Sequence, residues 1–249
     1  MSFSGKTPEQ LLEKAQEYDE KDLYGKRVQA FNSVLQVAFD EAYRTGDDAD
    51  AIEFAEEVFA PNIQAFYSEE TGNTVDYEKW FNKFSGIDSE AGIFHIPATD
   101  SAPYDYLRGC METVEEDYDH LVGVHSGGLA PLYAVEDLFE AEPVVLRYSH
   151  RDREDENVQI TPGMEQRADF DGSEILVLDD VIESGETFRE VGQHLKDQGA
   201  EGIDAVPVRT SVWNMSHDTE MLDLLKGGVK NTVIEYEKRK DYTEKGFES

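Results

Sequence analysis

The sequence predicts an α/β fold, a parallel sheet flanked by helices, and three observations predict it. The run Ile175-Leu-Val-Leu178 is continuously apolar and leads straight into Asp179 and Asp180, as a strand buried on both faces does where it leaves a sheet. A second apolar run, Leu121-Val-Gly-Val124, leads through His125 into the small-residue turn Ser126-Gly127-Gly128. After each run the hydrophobic spacing turns helical, through Phe188, Val191 and Leu195 in one case and Leu129, Leu132, Val135 and Leu138 in the other. Strand, tight loop and helix are thus written twice.

The remaining elements follow in chain order. Residues 8–23, 27–45 and 48–60 read as helices, the last opened by Asp47-Asp48 and closed by Pro61. Phe31, Val34, Leu35 and Phe39 form an apolar stripe at helical spacing, a core face rather than a ligand site. Tyr77-Glu-Lys-Trp80-Phe81 continues the aromatic content. Val144-Val-Leu146 is a further apolar run, and the polar segment 149–170 after it reads either as a mobile loop or as a solvated hairpin. Gly199 stands where a helix C-terminal glycine belongs, and Gly202-Ile-Asp-Ala-Val-Pro-Val-Arg209 reads as the next strand, ending in a cation.

The loop Glu183-Ser184-Gly185-Glu186-Thr187 has chemical consequences because it sits on a helix N-terminus. Backbone N–H groups there lack internal partners, and the helix dipole favours an anion. Gly185 lets the backbone approach a phosphate closely, and the Ser184 and Thr187 hydroxyls add donors. Asp179 and Asp180 leave the carboxyl end of their strand, where ligands bind in open α/β sheets. Two carboxylates beside a phosphate cradle repel a bare phosphate, so the pattern suits a ligand that also offers hydroxyls or a metal ion.

Residues 175–187 resemble the signature of the type I phosphoribosyltransferases, which use 5-phosphoribosyl 1-pyrophosphate (PRPP). The match is four apolar residues, an acidic pair, two apolar residues, and a loop with a small residue, Gly, any residue and Thr; Glu183 departs from the usual choice. The resemblance implies a type I phosphoribosyltransferase-like sheet with a small C-terminal lobe, in which Asp179 and Asp180 hold the ribose hydroxyls. It further implies that Glu183, Ser184, Gly185, Glu186 and Thr187 hold the 5-phosphate and that Ser126, Gly127 and Gly128 grip pyrophosphate through backbone amides. The family often has Lys or Arg where this chain has Ser126. Arg147, Arg151 and Arg153 fall within seven residues of one another, in a stretch between Phe84 and Leu195 that has no lysine. The family's closing loop lies in this region, which nominates Arg151 and Arg153 for PRPP; ion pairing within a hairpin is the equal alternative.

By the same resemblance, Glu183 is an acid near N7 of a purine, catalytic together with Asp179 and Asp180. Arg209 is then a contact for the exocyclic oxygen of a 6-oxopurine, and Trp213 a stacking platform for the base, with a structural role as its alternative. Mg²⁺ is expected to arrive with PRPP, and no protein residue is expected to coordinate a metal directly. The implied activity is a pentosyl transfer, PRPP-dependent, to a nucleobase in nucleotide salvage. A non-catalytic PRPP- or nucleotide-sensing protein on the same fold is the alternative, and an acceptor other than a base stays open.

Residues 1–90 are then a helical extension, suited to a cap, a homodimer surface or a partner site, and residues 91–249 the transferase-like domain. Tail residues 232–249, with Tyr236, Tyr242 and Phe247, are expected to form a small hood over the base.

Composition sets the outer limits. Of 249 residues, 55 are acidic and 22 basic, a net charge of −33 spread along the whole chain, like that of proteins from salt-accumulating halophiles. That charge argues against nucleic acid and anionic membranes as partners. One cysteine, Cys110, leaves no internal disulfide, and the six histidines show no metal-ligand spacing. The start has no apolar signal core and no apolar run approaches spanning length, so a cytoplasmic location is expected.

Overall fold

The structure, a computed structural model, describes residues 3–21, 23–68, 73–90, 107–109, 111, 112, 114, 117–125, 127–148, 158–182 and 185–210, without the side chains of Ile182, Arg209 and Thr210. It begins with helices α1 (Pro8–Glu20) and α2 (Tyr24–Thr45). Thr7 and Gln10 close a reciprocal capping box on α1, and Gly46, at φ 78°, ends α2. The stripe Phe31, Val34, Leu35 and Phe39 is fully buried, as its spacing predicts.

The expected helix 48–60 does not stop at Pro61. Helix α3 (Ala49–Phe54) passes through a π turn (Ala55–Phe59) into α4 (Ala60–Tyr67). The Ala60 N–H reaches back five residues to the Ala55 carbonyl, so the ladder has already slipped where proline offers no donor. Asn62 Nδ2 then donates to the Val58 carbonyl at 2.7 Å, a side chain satisfying a group near the slipped ladder. Helix α5 (Tyr77–Phe84) brings Trp80 to within 5.0 Å of the Phe54 ring, centroid to centroid.

The sheet contains β1 (His120–His125), β2 (Glu142–Arg147), β3 (Gln159–Ile160), β4 (Glu174–Ile182) and β5 (Gly202–Thr210), in the order β3-β2-β1-β4-β5. β2, β1, β4 and β5 are parallel, with Gly123 opposite Val145 on one side and Leu178 on the other. β3 departs from the all-parallel expectation. β2 and β3 pair antiparallel, Leu146 with Ile160 and Arg147 with Gln159, so the sheet is mixed; residues 149–157, on which the loop and hairpin readings turn, lie outside the described residues.

Helix α6 (Leu129–Val135) connects β1 to β2, and α8 (Glu186–Asp197) connects β4 to β5, while α7 (Pro162–Arg167) precedes β4. Gly199, at φ 98°, ends α8 as expected: its own N–H reaches Lys196 and that of Ala200 reaches Leu195, the paired bonds of a Schellman cap. From β1 the chain crosses outward to β2, and from β4 it crosses in the opposite direction to β5. Right-handed crossovers therefore put α6 and α8 on opposite faces. The N-terminal helices pack on the sheet and share one continuous hydrophobic cluster with it.

Candidate active site

Between β1 and β4 the connections leave in opposite directions, which makes their carboxyl ends a topological switch point, the crevice where open α/β sheets hold ligands. Both sequence motifs end there. The β1–β4 ladder closes at Gly123 and Leu178; beyond it the strands part, and Gly127-Gly128 fills the gap.

The fit is tight enough to demand both glycines. A Cβ on Gly127 would lie 2.3 Å from Asp180 Oδ1 and 2.6 Å from Asp179 Oδ1. A Cβ on Gly128 would lie 2.2 Å from the Val124 nitrogen and 2.4 Å from the Leu178 carbonyl oxygen. The Gly128 N–H donates to the Val124 carbonyl at 2.6 Å, closing the turn. Two motifs far apart in the chain thus form one surface.

Asp179 and Asp180 are still strand residues, since β4 runs on to Ile182. Both are buried. The Asp180 N–H donates to Asp179 Oδ1 at 2.9 Å. Burial, and then the neighbouring Asp180 carboxylate, push the Asp179 pKa well above the ordinary carboxylate range, against the opposing pull of that N–H. Asp179 therefore favours its protonated form, and hydroxyl donors or a nearby cation would favour the charged one. Among the described residues no group of three His, Cys, Asp or Glu side chains is placed to hold a metal ion.

Gly185 has φ 79° at the N-cap of α8, a left-handed conformation that favours glycine, and its carbonyl accepts the Arg189 N–H at 3.0 Å. Glu186 and Thr187 form the first turn of that helix. Arg209 lies on β5 opposite Val181, and its side chain is outside the described residues. Ser126, Glu183, Ser184, Arg151, Arg153, Trp213, Cys110 and the tail 232–249 also lie outside the described residues.

Sequence reasoning missed the N-terminal residues that brace this edge. His125 Nε2 lies 3.2 Å from the Gln36 carbonyl of α2, and its ring meets Phe39 and Tyr43 edge-on. The Tyr43 hydroxyl donates to the Val145 carbonyl at 3.2 Å, and the Arg147 guanidinium lies over the Tyr43 ring. Asp48 opens α3 as expected, its carbonyl accepting the Ile52 N–H, while its side chain accepts from Thr161 Oγ1 and from the Gly163 and Met164 N–H groups and so caps α7. No local motif announces such pairings; the one signal is a histidine closing an otherwise apolar strand.

A cleft of about 630 Å³ lies at the amino ends of β1 and β2, lined by Glu56, Asp119, Glu136, Asp137, Glu140 and Glu142. Burial, with Glu56, Asp137 and Glu142 adding to it, raises the Glu136 pKa to about 7. No anion is suited to it.

With this geometry in place, residues 93–219 match the family model of the phosphoribosyl transferase domain, half of the chain. No curated protein matches the sequence. Solved structures to which the chain is similar include a purine phosphoribosyltransferase from Pyrococcus horikoshii, with 23% identity over 45% of this chain and 70% of that one, at a TM-score of 0.34. A hypoxanthine phosphoribosyltransferase from Staphylococcus aureus matches at 13% identity over 45% of this chain and 63% of that one, TM-score 0.37. An HGPRT-ase from Leishmania tarentolae in complex with GMP matches at 9% identity over 47% and 71%, TM-score 0.35. Likenesses this distant assign no residue and no substrate.

Proposed function

The chain belongs to the phosphoribosyl transferase domain family, and from that premise we propose that it transfers the 5-phosphoribosyl group of PRPP to a nucleobase, a 6-oxopurine, releasing pyrophosphate. The observation that carries the reading is the seating of Gly127-Gly128 on Asp179 and Asp180 at the switch point, which joins a backbone-amide loop to an acidic pair. Residues 91–249 carry the transferase on this reading, and residues 1–90 back it as a helical extension.

In the reaction a ring nitrogen of the base attacks C1 of the ribose, and the C1–oxygen bond breaks with its electron pair leaving on pyrophosphate. Asp179 and Asp180 accept hydrogen bonds from the ribose hydroxyls and hold the sugar as positive charge develops on it. Gly127 and Gly128 bring backbone N–H groups to the diphosphate side, and Ser184, Gly185, Glu186 and Thr187 bind the 5-phosphate at the N-terminus of α8. Glu183 takes the proton that the base loses; Arg209 and Trp213 hold the base. Arg151 and Arg153 close over the diphosphate. Mg²⁺ arriving with PRPP would supply positive charge to the leaving group, and Asp179 and Asp180 would support it through the ribose hydroxyls. Salvage of purines in a salt-rich cytoplasm, as the charge of −33 suits, is the setting we assign.

The test is pyrophosphate release from PRPP and Mg²⁺ in molar KCl, with hypoxanthine, guanine, xanthine, adenine, orotate and uracil supplied separately. The reading expects release with a 6-oxopurine. Release with adenine, orotate or uracil alone would reassign the acceptor. Saturable PRPP binding without release from any base would instead make the protein a sensor.

A further inference from the structure

Helix α2 lies outside the matched family region, yet its Gln36, Phe39 and Tyr43 contact His125 beside the candidate site. His125 is the last residue of β1, two positions before Gly127 and three before Gly128. It is 8% exposed. A carbonyl oxygen only accepts, so the contact to Gln36 requires the tautomer that carries hydrogen on Nε2, with His125 donating. The ring is fixed in two further directions, by Phe39 at 6.3 Å and Tyr43 at 5.7 Å between centroids. Tyr43 also bonds the Val145 carbonyl of β2, so α2 holds the carboxyl ends of two adjacent strands at once.

Gly127 and Gly128 have little freedom. The Gly128 N–H is bonded to Val124, and the Gly127 and Gly128 backbones lie against Asp179, Asp180 and Leu178 with no room for a methyl group. A shift of the His125 backbone is therefore passed to the loop rather than absorbed in side-chain rotation. We propose that His125 is a positioning residue: by bonding the Gln36 carbonyl it ties the Gly127-Gly128 loop to α2 and so sets where the diphosphate of PRPP is held. This rests on the PRPP reading of the site for its ligand, while the mechanical coupling stands on the contacts alone. It gives the N-terminal helices a part in substrate binding.

Two variants separate the donor from the ring. His125→Phe keeps an aromatic ring between Phe39 and Tyr43 and loses the N–H; His125→Gln keeps an amide donor and loses the ring. Amide hydrogen exchange over residues 125–129, followed by mass spectrometry, reads the loop without any substrate. His125→Phe should speed exchange there about tenfold while α8 and β5 keep wild-type protection, and His125→Gln should restore much of the protection. In the transferase assay His125→Phe should raise the KM for PRPP about tenfold with kcat within about threefold, since a loss of folded protein lowers apparent kcat and leaves KM alone.

Wild-type protection of the loop in His125→Phe would overturn the coupling, whatever the activity. A faster loop with unchanged KM would overturn the role in substrate binding. If the wild-type protein neither binds nor turns over PRPP, the transferase reading fails separately, and the exchange data still decide the coupling.

Discussion

Gly127 and Gly128 stand side by side but for different reasons, and their variants should differ accordingly. A methyl on Gly127 meets the Asp179 and Asp180 carboxyl groups, Asp180 Cγ included, so those side chains must shift as a whole; a methyl on Gly128 meets the Val124 nitrogen and the Leu178 oxygen, both backbone. Gly128→Ala is expected to destabilise the protein by about 3 kcal/mol or more, and Gly127→Ala by about 1–2 kcal/mol, with PRPP affinity falling in both. Urea titration gives the comparison, and equal losses would count against the packing described. Glu136 offers a pH test at the amino ends of β1 and β2. Its folded-state pKa of about 7 lies above the ordinary 4.5, so the folded state keeps a proton that the unfolded chain has released. Its contribution is intact below about 4.5 and lost as pH rises through 7. Glu136→Gln should then stabilise by about 1–2 kcal/mol at pH 8, allowing for solvent screening of a partly exposed group, and leave stability at pH 4 unchanged. Calorimetric melting at both pH values checks the sign.

At the scale of elements, Asp48 links the N-terminal helices to the return segment of the sheet. Its carboxylate takes three donors at the start of α7, all in or next to a buried position. Asp48→Ala should cost about 2 kcal/mol, and hydrogen exchange should quicken across residues 158–168 before it does in β4. Uniform loss of protection would mean that Asp48 does not act locally. This contact also shows what the sequence could and could not disclose. Strand β4, its acidic pair, Gly185 and the α8 helix are local patterns, each readable from residues within a dozen positions, and they stand where expected. The capping of α7 by Asp48 and the bond from His125 to α2 join residues 89 or more positions apart and carry no periodicity. Pro61 misled for a related reason. Its rule assumes an unbroken α-helical ladder, and the π turn just before it had already shifted the ladder by one residue. β3 was hidden by length, since two residues make no pattern.

At the scale of the whole molecule, the net charge is the feature with the largest reach. A net charge of −33 on 249 residues gives self-repulsion that only counterions moderate. Dialysis from molar KCl into dilute buffer is expected to unfold the chain, as read by loss of far-ultraviolet dichroism; full stability in dilute buffer would contradict it. The same repulsion frames the site. On the PRPP reading, a highly negative protein binds a highly negative ligand through backbone N–H groups, a helix N-terminus, the arginines proposed to close over it and a cation carried by the ligand. The central claim, one PRPP site made from Gly127-Gly128 and the acidic pair, is tested most directly by calorimetric titration of PRPP with Mg²⁺ in molar KCl, on the wild type and on Asp180→Asn. The account predicts saturable binding by the wild type and at least about tenfold weaker binding by a folded Asp180→Asn protein. Equal binding by the two, or none by folded wild-type protein, would contradict it.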